Sequence, residues 1–130
     1  MTLRVTRAAL ERMRASARES APEECCGLLL GNEAIEEARP AASIATDLHR
    51  RFEIDPQALI DAHRAARSGA PAVIGYYHSH PAGPAAPSNT DRAMASGDGK
   101  IWAIVGDDRV TFWRDGRGGF APLPYVEEDR

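Results

Sequence analysis

The segment GYYHSHPAGPAAPSNTD, residues 75–91, leaves the chain few structural options. Its first part reads as a strand. Its second part carries Pro81, Pro84 and Pro87, which end a strand and oppose a helix. Successive side chains on a strand point to opposite faces, so His78 and His80 leave one face and Ser79 the other. Two imidazoles side by side at a strand end are placed to share one metal ion. Asp91 follows His80 by eleven residues. The proline-rich connection cannot extend the sheet, but it can turn the chain so that the first turn of the next helix faces the histidines. Two imidazoles, one carboxylate and an open fourth position make the ligand count of a catalytic zinc site, one Zn2+ per chain. A structural site would be closed by four protein ligands.

Such a site needs a further carboxylate, not itself a ligand, to carry a proton from water to a leaving group. Glu23 and Glu24, at the start of the apolar run CCGLLLG, are the candidates. Strand alternation says only that they point opposite ways. Ser88, three residues before Asp91, can donate a hydrogen bond to an oxyanion.

The remainder of the chain reads as one ordinary globular domain, residues 1–130, with 43% hydrophobic and 27% charged residues. A net charge of −3 without a basic block gives no electrostatic case for nucleic acid or a membrane surface. The apolar runs CCGLLLG and IWAIVG are far too short to span a bilayer. MTLRVTRAALERM lacks the apolar core of a signal peptide, so the expected location is cytoplasmic. Cys25 and Cys26 are adjacent and face opposite ways, which makes them a poor disulfide pair and suits a reducing compartment.

The expected elements alternate. LRV is a short strand, and Thr6 caps a helix over residues 7–19 whose Leu10, Met13 and Ala17 follow helical spacing. CCGLLLG is a buried strand, turned at Gly31-Asn32 into a return strand over residues 34–38, with ASIA as a further candidate. Asp55-Pro56 starts a helix that stops at Gly69. PAVIGYYHSH is a central strand, and residues 88–96 form a helix near whose cap Ser88 sits. KIWAIV and RVTFWRD form a hairpin across GDD, and FAPLPYVEEDR is an edge segment and a frayed end. The sum is an α/β (α+β) domain with five or six strands.

ECCGLLLG, then HSHP, then PSNTD together resemble the JAMM (MPN-plus) metalloprotease motif. That motif is a glutamate ahead of a Cys-Gly strand, His-x-His-Pro, and a Ser-x-x-Asp. Glu24, His78, Ser79, His80, Pro81, Ser88 and Asp91 each match an element, and the resemblance covers roughly residues 5–115. It implies a curved mixed β-sheet flanked by helices, related to the cytidine-deaminase-like architecture. It implies zinc held by His78, His80 and Asp91, with Glu24 rather than Glu23 activating water. The implied substrate is a peptide, isopeptide or amide bond after the C-terminal Gly-Gly of a ubiquitin-like or sulfur-carrier protein. Only about eight residues separate Asp91 from the strand at Lys100, too few for the insertion with which larger relatives hold a second ubiquitin, so the chain is similar to the compact bacterial members.

Other functions fit less well. A non-catalytic MPN-type scaffold is the main alternative, although scaffolds of this kind usually lack some ligands and this sequence keeps them all. A nucleoside-type deaminase needs H-x-E and P-C-x-x-C, which are absent. Two histidines and a carboxylate also suit iron, but Glu24 and Ser88 favour hydrolysis. His49 and His63 read as surface residues, Arg50 and Arg51 as a solvated patch, and the cysteines as core. Tyr76 and Tyr77 read as sheet and core residues, and Trp102 and Trp113 as packing across the last hairpin. The oligomeric state is left open.

Overall fold

Thr6 ends the first strand, β1 (Leu3–Thr6), and starts the first helix, α1 (Arg7–Ser20). Its side chain accepts the Ala9 N–H at 3.1 Å, which satisfies one of the amides left over at a helix start. Leu10 and Met13 are fully buried, as their spacing predicts, and each contributes about 2 kcal/mol of hydrophobic stabilisation.

The computed structural model describes residues 2–45 and 53–130. Elements follow in the order β2 (Cys26–Gly31), β3 (Ile35–Ala41), α2 (Pro56–Arg67), β4 (Ala72–Ser79), α3 (Asn89–Met94), β5 (Ile101–Gly106), β6 (Arg109–Gly116), β7 (Gly119–Leu123) and β8 (Tyr125–Glu128). They build one mixed sheet in the order β7-β6-β5-β4-β2-β3-β1-β8. Strand β4 lies between an antiparallel β2 and a parallel β5, so both of its edges are bonded. The parallel step from β4 to β5 requires a crossover, and α3 lies on it.

The sheet buries both faces. On one, Leu10 and Met13 of α1 pack against Cys25, Leu29, Tyr77, Ala103, Val105 and Phe112. On the other, Ala62 and Leu59 of α2 cover Leu28, Leu30 and Val73. Beside them Cys26 and Trp102 form a smaller cluster with Ile54, Tyr76, Met94 and Trp113. Cys25 and Cys26 therefore enter different clusters and are both free thiols. Trp102 and Trp113 are directly paired across the β5–β6 hairpin, whose turn puts Asp107 and Asp108 at φ 52 and 60.

The sheet has eight strands, more than the five or six expected. The additional ones come from FAPLPYVEEDR, which is not frayed. Strand β7 pairs with β6, and β8 pairs in parallel with β1 at the far side of the sheet. Pro122 is tolerated because β7 has a partner on one side only. Pro124 separates the two strands, and its carbonyl accepts the Leu3 N–H at 2.9 Å. ASIA supplies only an isolated bridge, Ser43 to Ile54. His63 is exposed as read, while His49, Arg50 and Arg51 lie outside the described residues.

Gly27 is among the glycines needed for close packing. Gly27 lies opposite Tyr77 in the β2–β4 ladder, and a Cβ there would overlap the Tyr77 ring and the Arg39 carbonyl. Gly27→Ala is expected to cost about 1–3 kcal/mol by overpacking, read as a lower denaturant midpoint at unchanged slope. A midpoint equal to wild type would mean that the ring can move aside.

Candidate metal centre

His78 is the second-last residue of β4, and His80 lies one residue past its end. The strand holds its course to that point because the His80 N–H donates to the Val105 carbonyl at 2.8 Å. Ser79 turns the other way, and its hydroxyl accepts the Cys25 N–H at 2.9 Å, tying β4 to the approach of β2.

Asp91 comes to the same point from α3. Ser88 is the N-cap, and its hydroxyl accepts the Asp91 N–H at 3.0 Å. The Asp91 carboxylate accepts the Ser88 N–H at 3.0 Å, completing a capping box. The reciprocal bonds fix the carboxylate within the first helical turn. Ser-x-x-Asp is a capping-box pattern, so this role of Asp91 was available in the sequence but was not read there.

The three side chains converge. His78 Nε2 lies 3.0 Å from Asp91 Oδ1, and His80 Nε2 lies 3.0 Å from Asp91 Oδ2. The two Nε2 atoms are 3.1 Å apart. All the ligand atoms lie within 4.8 Å of one another. The His78 side chain is fully buried and meets the Trp102 ring edge-on at 5.6 Å, while the His80 side chain keeps 10% of its exposure.

The hydrogen bond behind His80 tests whether a metal fits. His80 Nδ1 lies 2.8 Å from the Pro84 carbonyl, which only accepts, so Nδ1 carries the proton. A neutral His80 then presents a lone pair from Nε2 to a carboxylate oxygen 3.0 Å away. Two lone pairs at that distance repel unless a proton or a metal ion lies between them. A neutral imidazole whose far nitrogen donates to a carbonyl is the usual arrangement of a metal-ligating histidine. The donor set of two nitrogens and one oxygen suits zinc.

Protonation is divided unequally. Burial holds His78 below the ordinary histidine range, against the pull of Asp91. Burial also opposes a charge on His80, but Asp91 and the Pro84 carbonyl outweigh it and raise His80. Burial would raise Asp91, yet the two histidines and the Ser88 amide hold it well below the carboxylate range. Without metal the cluster is therefore an ionised Asp91, a neutral His78, and a His80 that takes up a proton first.

A cleft of about 450 Å³ beside the cluster is lined by Glu24, His80, Pro81, Pro84, Ser88 and neighbouring small residues. Glu24 is 9% exposed and raises the affinity of His80 for a proton, whereas Glu23 is exposed. The Ser88 hydroxyl accepts from Asp91, which leaves its own hydrogen to donate. Cys26 is opposite His78 in the ladder, but burial, with help from Cys25 and Glu24, pushes its thiol up to about 12. It remains a protonated, apolar neighbour. Tyr77 is also pushed up to about 12 by burial, and its hydroxyl lies 3.3 Å from that of Ser16, on the face away from the histidines. The Pro84 carbonyl is the part of the site that sequence reasoning missed, and no side-chain pattern signals it.

Residues 6–116 match the family described as prokaryotic homologs of the JAB domain. The chain belongs to that family. This is the compact prokaryotic JAMM type that the motif implied. The desampylase of Haloferax volcanii is 32% identical over 102 residues, covering 76% of this chain and 73% of that protein. A probable TtuB-protein conjugate cleaving protease of Thermus thermophilus is 35% identical over 91 residues, covering 70% of this chain and 62% of that protein. The solution structure of protein DSY2949 from Desulfitobacterium hafniense superposes with a TM-score of 0.87 at 24% identity, over 99% of this chain and 94% of that one. That likeness supports the fold alone.

Asp91→Ala is expected to lose zinc binding and part of the α3 cap together, read as metal content after purification without chelator. Unchanged zinc occupancy would mean the site is not built from these ligands. In the wild type, zinc affinity is expected to fall as pH drops through the raised His80 range, because a proton then occupies the Nε2 lone pair. Competition titrations across that range check this, and a flat profile would remove His80 from the ligand set.

Proposed function

We propose that this chain is a zinc-dependent hydrolase that cleaves a peptide, isopeptide or amide bond after the C-terminal Gly-Gly of a ubiquitin-like or sulfur-carrier protein. The observation that carries the reading is one cleft bordered by an imidazole, a buried carboxylate and a hydroxyl: His80, Glu24 and Ser88. The names of the two curated relatives, a desampylase and a conjugate cleaving protease, support the substrate class.

His78, His80 and Asp91 are the metal ligands in this reading. Zinc held there supplies Lewis acidity and brings the pKa of water toward neutrality. Glu24 is the general base and then the general acid: its carboxylate receives a proton from the attacking water and passes it to the departing amine. Its position at the cleft wall, largely shielded from solvent, suits a group that must take and release one proton. Ser88 donates its hydroxyl hydrogen to the carbonyl oxygen as negative charge develops there. Prolines, alanines, Gly83 and Thr90 line the rest of the cleft.

The domain organisation follows as part of the proposal: residues 1–130 act as one catalytic unit in the cytoplasm. No helix among the described residues is long and apolar enough to cross a membrane.

The test is a ubiquitin-like carrier joined through its terminal Gly-Gly to a short peptide, with release of the peptide followed over time. Glu24→Gln is expected to keep zinc and lose about 10²–10⁴ in turnover, because only proton transfer is removed. Activity near wild type would move the proton carrier to Glu23 or elsewhere. A wild-type protein that binds the carrier but never cuts it would favour the scaffold alternative.

A further inference from the structure

We propose that Thr111, on a strand outside the metal cluster, is a positioning residue for His80. It pins the 81–87 loop to the sheet so that the Pro84 carbonyl fixes which ring nitrogen of His80 carries the proton. This rests on the reading of His78, His80 and Asp91 as the metal ligands.

The hydrogen bonds around Thr111 run in one direction. Trp113 Nε1 donates to Thr111 Oγ1 at 2.9 Å, and an indole N–H is a donor only. The hydroxyl is therefore the acceptor in that contact, and its single hydrogen must go elsewhere. It points to the Ala85 carbonyl at 2.7 Å, with the Ile104 carbonyl a poorer choice at 3.5 Å. Ala85 follows Pro84, whose carbonyl accepts from His80 Nδ1 and from the Ala86 N–H, each at 2.8 Å. A continuous path thus runs from Trp113 through Thr111 and the Ala85 peptide to His80.

The sheet also supports this loop sterically. A Cβ at Gly106, the last residue of β5, would lie 2.8 Å from Ala85 N, 2.9 Å from Gly83 O and 3.0 Å from Pro84 C. The bare glycine lets the loop backbone rest directly on the β5–β6 hairpin, while the Thr111 hydroxyl ties it down. The loop's local bonds, Gly83 N–H to His80 O at 3.4 Å and Ala86 N–H to Pro84 O, bend it without anchoring it to the sheet. Its prolines remove backbone donors that could have done so. A side-chain donor from the sheet takes that place.

The consequence lies at the opposite ring nitrogen. With Nδ1–H directed at Pro84, His80 keeps its Nε2 lone pair for the metal. If the Ala85 peptide is released, the Pro84 carbonyl can turn away and the other tautomer becomes accessible, with Nε2–H facing Asp91. That tautomer cannot bind metal.

The experiment uses the full chain with Thr111→Val, which keeps the shape and removes the hydroxyl, and Thr111→Ser, which keeps the hydroxyl. Thr111→Ala is made as well, so that a folding failure of one apolar variant leaves the other. The His80 ring tautomer is read by nitrogen NMR on metal-free protein well above the histidine range, and zinc affinity by chelator competition. In metal-free protein Asp91 favours a proton on Nε2 and the Pro84 carbonyl favours one on Nδ1, so the expected result is a larger Nδ1–H share in the wild type and serine variant than in the valine and alanine variants, and zinc binding weakened about 10- to 100-fold in those two. An unchanged tautomer in the apolar variants overturns the proposal, whether or not their melting temperature or zinc affinity falls. A wild type with the Nδ1–H tautomer that binds no zinc would overturn the metal reading instead, while the tautomer comparison would still decide the role of Thr111.

Discussion

Lone pairs do not gather without a cation. Two imidazole nitrogens and two carboxylate oxygens meet here at 3.0–3.1 Å, one histidine with no exposed surface. In a polar solvent those groups would each be hydrated. Brought together, they make a small region of negative potential that only a proton or a metal ion relieves. Much of the surrounding architecture serves to hold the groups there. Strand β4 is bonded along both edges, so His78 cannot retreat. The α3 capping box fixes Asp91 with two hydrogen bonds of its own. The proline loop turns the chain between them and orients His80 from behind.

The two faces of the sheet divide the work. One is packed against α1, where Leu10, Met13, Tyr77 and Phe112 form the main core. The other carries the histidines beside Trp102, near Cys26 and Met94. Alternation along β4 sends Tyr77 and Ser79 to the first face and His78 to the second. One strand therefore serves the core and the candidate site in consecutive residues. The apolar wall around His78 also explains why it resists protonation while the more open His80 does not.

The parts of this arrangement that follow from local geometry were readable in advance. Period-two alternation puts His78 and His80 together, Asp55-Pro56 starts a helix, and the prolines after His80 force a turn. Asp91 was placed by spacing, although its capping role was passed over. The choice between Glu23 and Glu24 did not follow from alternation and came from the motif; burial now separates them, one shielded at the cleft and the other in solvent. What could not be read was tertiary. The Pro84 carbonyl has no side-chain signature, and Thr111 lies more than twenty residues from the loop it touches. Strands β7 and β8 were hidden by Pro122 and Pro124, which are unfavourable in a central strand but acceptable at a sheet margin.

The strand order has one more implication. Strands β7 and β8 are neighbours in sequence, one proline apart, yet they occupy opposite margins of the sheet. The sheet must curl far enough for its margins to meet at Pro124, as its carbonyl does with Leu3. During synthesis β1 emerges first and β8 after every other strand, so the outer edge of β1 stays open until translation has passed the whole sheet. An uncovered strand edge is a template for pairing with other chains. The nascent protein is thus most prone to association while its candidate site is already made, and the closing strand acts as a late seal on the first strand of the sheet.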